Sequence, residues 1–176
     1  MSRIAWAALA LLLAPALSGC SSAESGTWFG LHVADGPGAI DQFRRLTVEV
    51  SKVTLYREGG GTVEVVPQAQ SFDLAKLQDG NVSSVFSGRV DPGQYKRIEL
   101  TVVKATGVLQ ADDRLVSLQV PGGKLVLDLD LDIATREINY LFDIQVDQEG
   151  GAYVLKASPE GSKVISKPTN GRSRDA

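Results

Sequence analysis

Leu125, Leu127, Leu129, Leu131 and Ile133 fall on every second position, with Asp128, Asp130 and Asp132 between them. A two-residue apolar period belongs to a strand with one face turned to a core. Ile138, Tyr140, Phe142, Ile144 and Val146 repeat the pattern at once. On a helix either set would be scattered around the axis. Earlier, Leu46, Val48 and Val50 alternate with Thr47, Glu49 and Ser51, after which the phase changes to Val53 and Leu55. A β-bulge at Ser51-Lys52 would return both halves to one face, placing Val50 and Val53 together.

Shorter signals fill the rest. Trp28 to Val33, Val63 to Val66, Val82 to Val90, Tyr95 to Val103, Val116 to Val120 and Tyr153 to Ala157 read as extended. Asp35-Gly36-Pro37-Gly38, Glu58 to Gly61, Asp91-Pro92-Gly93 and Pro121-Gly122-Gly123 read as turns. Ala75 to Asp79 has room for one helical turn, stopped by Gly80. The pattern predicts an all-β fold, a mainly antiparallel sandwich or barrel in one domain.

The first residues obey another rule. Arg3, an apolar run from Ile4 to Leu17 and the small residues before Cys20 have the layout of a secretory signal. The run is shorter than the roughly 20 residues of a membrane span, and Pro15 interrupts it. Leu17-Ser18-Gly19-Cys20 resembles the lipobox of bacterial lipoproteins. That resemblance implies cleavage after Gly19, a diacylglycerol thioether on Cys20 and further acylation of the new amine. Ser21 resembles the outer-membrane default in a Gram-negative cell, where Asp would tend to retain the protein at the inner membrane. The expected organisation is a signal peptide at 1–19, a tether at 20–27, a sandwich at 28–165 and a disordered tail at 166–176. Cys20 is the sole cysteine, so an intramolecular disulfide is excluded.

Three stretches carry a second resemblance: Phe72-Asp73-Leu74 with Leu77 to Gly80, Asp91 to Tyr95 with Ile98-Glu99-Leu100, and Val120 to Leu125. Their order and spacing resemble domain-of-unknown-function family 4382, over roughly residues 26–158. The resemblance implies a β-sandwich, transthyretin-like or related, in secreted and lipid-anchored proteins. It implies no activity and no site residues. Read physically, Pro92 pre-sets φ, Gly93 permits positive φ, and Tyr95 lies over the turn.

The chain offers few groups for chemistry. It has 18 basic and 21 acidic residues, and a mildly acidic domain is a poor nucleic-acid partner. His32 is its only histidine. It lies in a strand, with no nucleophile elbow anywhere, and is expected at the surface or partly buried. Zinc sites rich in His and Cys are excluded by count, and no phosphate-binding Gly-rich loop is present. The carboxylates remain. Asp128, Asp130 and Asp132 share a face, matched on the next strand by Asn139 and Asp143 if the leucines point inward. The expectation is an exposed acidic ladder that deters sheet-to-sheet association, with Leu127, Leu129 and Leu131 in the core. Calcium held by these oxygens is the alternative, and a carboxylate-pair glycan hydrolase is another. Trp28, Phe29, Tyr56, Tyr140 and Tyr153 are scattered, and Tyr140 has core parity. These readings point to a non-enzymatic, lipid-anchored envelope module. Its expected contacts are a membrane through Cys20 and an envelope protein or polysaccharide, with no cofactor, metal or nucleic acid.

Overall fold

The computed structural model describes residues 26–134 and 136–166. The signal segment, Cys20 and the tail from Lys167 lie outside the described residues, as does most of the tether. Ten strands are present among the described residues: β1 (Thr27–Asp35), β2 (Phe43–Arg57), β3 (Thr62–Val65), β4 (Ser71–Asp73), β5 (Ser83–Val90), β6 (Gly93–Leu109), β7 (Leu115–Ser117), β8 (Lys124–Ile133), β9 (Ile138–Glu149) and β10 (Ala152–Ile165). Thr27, expected as the last tether residue, already belongs to β1. The helical turn is Leu74–Lys76, one residue earlier and shorter than expected, with Gly80 at positive φ beyond it.

The strands form two sheets. Sheet I runs β10-β9-β1-β5. In sheet II the order is β3-β2-β6-β7, with β4 also on β2 and β8 also on β6. All neighbours are antiparallel except β1 and β9, which pair in parallel from Phe29 opposite Ile138 to Asp35 opposite Ile144. The apolar faces of both sheets meet in one core. Phe29, Leu31 and Val33 of β1 and Phe142, Ile144 and Val146 of β9 are fully buried in it with Leu46, Val53, Leu55, Ile98 and Leu100 of sheet II. The structure is thus an all-β sandwich.

The bulge appears where the phase change puts it, and it is double. Glu49 faces Lys104, Val50 faces Val102 and Lys52 faces Thr101. Val103 is therefore skipped on β6 and Ser51 on β2. Both skipped residues are exposed, while Val50 and Val53 are buried together. The Pro-Gly turn also follows its chemistry: Tyr95 is fully buried and its hydroxyl donates to the Asp91 carbonyl at 2.7 Å. Burial raises that phenol's pKa above its ordinary value.

Residues 115–120 do not form one strand. β7 stops at Ser117, and Gln119 bridges to Val154 at the edge of sheet I. The Gln119 amide donates to the Tyr153 carbonyl and its carbonyl accepts from the Leu155 amide, both at 2.8 Å. This crossing caps the β10 edge, a place where unpaired backbone groups invite association.

The strand ends define two poles. At the entry pole Thr27 faces Val90, Gly93 faces Ile133 and Arg57 faces Tyr95. β10 ends there too, with Ile165 opposite Asn139. At the far pole lie Asp35, the Ala39–Gln42 turn, Phe43 opposite Leu109, and the β9–β10 hairpin that pairs Glu149 with Ala152. β1 alone separates the poles by about 26 Å at about 3.3 Å per residue.

Candidate functional site

The outer face of sheet II is a lattice of ion pairs. Asp128 accepts from Arg97 Nε at 2.6 Å, and Asp130 from Lys96 Nζ at 3.0 Å. These hydrogen bonds raise the pKa of both cations. The Lys96 ammonium also lies 3.4 Å from Glu58, and Lys52 reaches Glu64 at 2.7 Å. Glu99, buried near the middle of this face, is met by Lys124 at 2.8 Å and by the Tyr56 hydroxyl at 3.3 Å. Asp128, Asp130 and Asp132 are all exposed, as the alternation predicted. Two of them have cationic partners on β6 that no reading of β8 by itself could supply.

Leu129 departs from expectation. Leu127 and Leu131 are buried, but Leu129 is only partly so. The ladder steps from Tyr95–Leu131 to Arg97–Asp128. β8 thus carries one extra residue at 129–130, and the local bend turns Leu129 partly out of the core.

Asn139 and Asp143 are a larger correction. They do not extend the acidic ladder. The chain changes sheets between Ile133 and Ile138, so β9 lies inside sheet I. Both side chains sit on the outer face of that sheet and are buried. His32 joins them, 7% exposed, and is buried more deeply than a surface histidine should be. Its Nε2 donates to Asn139 Oδ1 at 3.1 Å, and Asn139 Nδ2 donates to Glu137 at 3.4 Å. His32 Nδ1 is buried without a hydrogen bond.

A break in β10 covers Asp143. The β9–β10 register jumps from Ser158 opposite Asp143 to Lys163 opposite Leu141. The looped-out residues include Gly161 and Ser162. Ser162 Oγ accepts from the Asp143 amide at 2.9 Å and donates to the Ser158 carbonyl at 2.7 Å. Gly161 lies so close that a Cβ there would overlap the Asp143 carboxylate; at Gly36 a Cβ would come within 2.7 Å of it. Burial raises the Asp143 pKa, opposed by a hydrogen bond from Ser158 and reinforced by the Asp35 charge. Asp35 is raised as well, chiefly by burial.

The far pole carries an open cleft of about 430 Å³ lined by Gln42, Tyr153 and, from the β6–β7 turn, Leu109, Gln110, Ala111, Asp112 and Arg114. Tyr153 packs edge-on against buried Phe43, with ring centroids 4.8 Å apart at 71°, and its hydroxyl donates to Gln42 Oε1 at 2.6 Å. Gln110 is pinned by its amide to the Gln42 carbonyl at 2.8 Å and by Nε2 to the Phe43 carbonyl at 3.3 Å. The charged residues of the turn pair off, Arg114 with Asp112 at 3.2 Å and Arg44 with Asp113 at 2.6 Å. Asp113 takes a left-handed φ of 57°, which Asp tolerates in a tight turn. Of these residues only Tyr153 stands out in the sequence, as one scattered aromatic. Its neighbours come from two distant segments, at 42–44 and 109–114, that meet it only through the sheet registers.

No group of three or more His, Cys, Asp or Glu side chains among the described residues is placed to hold a metal ion.

Residues 27–157 match a family described as a domain of unknown function, DUF4382. The chain belongs to DUF4382. The match takes in both sheets and the far-pole cleft, and it ends one residue before the ladder breaks at Ser158. No curated protein and no solved structure matches the chain. The matched residues thus include two sheets with unlike outer faces and the far-pole cleft.

Proposed function

We propose that this chain is a lipid-anchored module of the cell envelope, held through Cys20 and working by binding rather than by catalysis. Ser21 suits the outer membrane where the cell has one. The observation that supports this reading is the polarity of the sandwich. The chain enters at Thr27, while the cleft of Gln42, Gln110 and Tyr153 lies at the opposite pole. An anchor just upstream of Thr27 holds the entry pole toward the membrane and leaves the far pole facing outward. A non-catalytic role is also in keeping with the exposed carboxylates of β8, two of which are committed to Arg97 and Lys96. The partner is an envelope protein or polysaccharide.

Mass spectrometry of the mature N-terminus from native membranes tests the anchor. The expected species starts at Cys20 with a diacylglycerol thioether, and Cys20→Ala accumulates as an uncleaved precursor. An unmodified Cys20, or a start at another residue, overturns the reading. Capture of the lipidated protein from its own envelope should then bring down an envelope component at stoichiometric yield.

A further inference from the structure

We infer that the far-pole cleft binds a neutral oligosaccharide chain, with Tyr153 as its apolar platform and the Gln42 and Gln110 carboxamides as its polar contacts. This rests on the envelope reading above and names the ligand class of its outward pole. Three features select the ligand. First, a half-buried tyrosine beside Leu109 and Ala111 offers a small apolar surface that suits the C–H face of a sugar ring. Second, the polar atoms not engaged within the protein are of both kinds. Gln42 accepts from Tyr153 through Oε1, leaving its Nε2 to donate; Gln110 donates through Nε2, leaving its Oε1 to accept. A hydroxyl is both donor and acceptor, so a polyhydroxylated chain satisfies both amides at once.

The third feature is charge. Asp112 is answered by Arg114 and Asp113 by Arg44. The rim therefore carries no excess of either sign to attract an anionic or cationic polymer. The cleft is also held in shape before any ligand arrives. Phe43 fixes the tyrosine ring, and backbone bonds fix Gln110. Preorganisation of this kind lowers the ordering cost of binding.

Titration of the folded domain with maltohexaose and with chitohexaose, followed by amide NMR shifts, tests this directly. Saturable shifts at Gln42, Gln110 and Tyr153 are expected with at least one of the two, at ligand concentrations below about 10 mM. The two probes distinguish a glucan from an amino-sugar polymer. Tyr153→Ala should weaken binding about tenfold or more. Gln42→Ala and Gln110→Ala change exposed side chains and should weaken it in a domain that retains its wild-type spectrum. Polygalacturonate serves as the charged control. Absence of shifts with both neutral probes, shifts confined to other surfaces, or a preference for polygalacturonate overturns the proposal. The anchor is judged separately. A native N-terminus with an unmodified Cys20, in a protein whose cleft still binds a probe saturably, sinks the anchor and keeps the cleft, whereas a lipidated native protein that binds neither probe does the reverse.

Discussion

The two outer faces of this sandwich handle polar groups in opposite ways. On sheet II most of the charges stand in water and answer one another, Arg97 with Asp128, Lys96 with Asp130 and Lys52 with Glu64, while Glu99 is buried and met by Lys124. On sheet I the polar residues His32, Asn139 and Asp143 are buried, and Asp143 is roofed by the loop-out of β10 at Gly161 and Ser162. An exposed ion pair is worth little, because water already solvates both ends. A buried polar group without its partner costs its desolvation. Similar residue types in similar strands thus carry very different energetic weight, and cover rather than chemistry decides which.

The largest test of this contrast lies just beneath the lattice. Leu127→Ala should lower unfolding free energy by about 2–5 kcal/mol through the cavity it leaves. Leu129→Ala, on the half-exposed bulge, should cost clearly less. Urea denaturation of both variants checks the pair, and equal losses would mean that the β8 bulge does not turn Leu129 outward.

Next comes the covered face. Asn139→Ala removes the one hydrogen bond of the His32 side chain and should cost about 1–3 kcal/mol, the usual penalty for stranding a buried polar group. A neutral outcome in the same denaturation would mean that the sheet I face is wetter than its burial implies.

A third test is the pH dependence. Asp143 has a raised pKa in the fold, so the folded chain binds this proton more tightly than the unfolded one. Its contribution is fully present below the ordinary carboxylate range and is lost as pH rises through the raised folded value. Thermal melts of the wild type should therefore show a decline across that window, part of which Asp143→Asn removes. An identical pH profile in wild type and variant would break the assignment.

The smallest effect belongs to the lattice itself. Asp128, Asp130 and Asp132 changed together to Asn should shift stability by no more than about 0.5 kcal/mol per site, measured by the same melts. A calcium-dependent rise in melting temperature in the wild type that is absent from the triple variant would turn this passive face into a cation site.

Much of this architecture was legible in the sequence. Leu125 to Ile133 and Ile138 to Val146 declare their strands by alternation, the Val50-to-Val53 phase change locates a bulge, and Asp91 to Tyr95 declares its turn. Alternation tells which side of a strand is apolar; it does not tell which sheet the strand joins. β8 and β9 look like neighbours in the sequence, yet they lie in different sheets, which takes Asn139 and Asp143 away from the acidic ladder. The burial of His32 is hidden likewise, since nothing around it in sequence announces Asn139 as its partner. The cleft was least legible. Gln42, Gln110 and Tyr153 carry no motif and owe their meeting to the registers of β2 with β6 and of β10 with β9.

The central place of β1 has a consequence for how the chain acquires its shape. Leu31 faces Phe86 on one side and Tyr140 on the other. The first of the ten described strands to be synthesised must wait for one of the last. Contacts so distant along the chain put folding in the slow, milliseconds-to-seconds class. Sheet I cannot close while Ile138 to Ile144 are still missing, and until then β1, which has only β5 to pair with, presents one open edge to whatever lies nearby. A fragment cut before Ile138 is therefore expected to aggregate instead of folding.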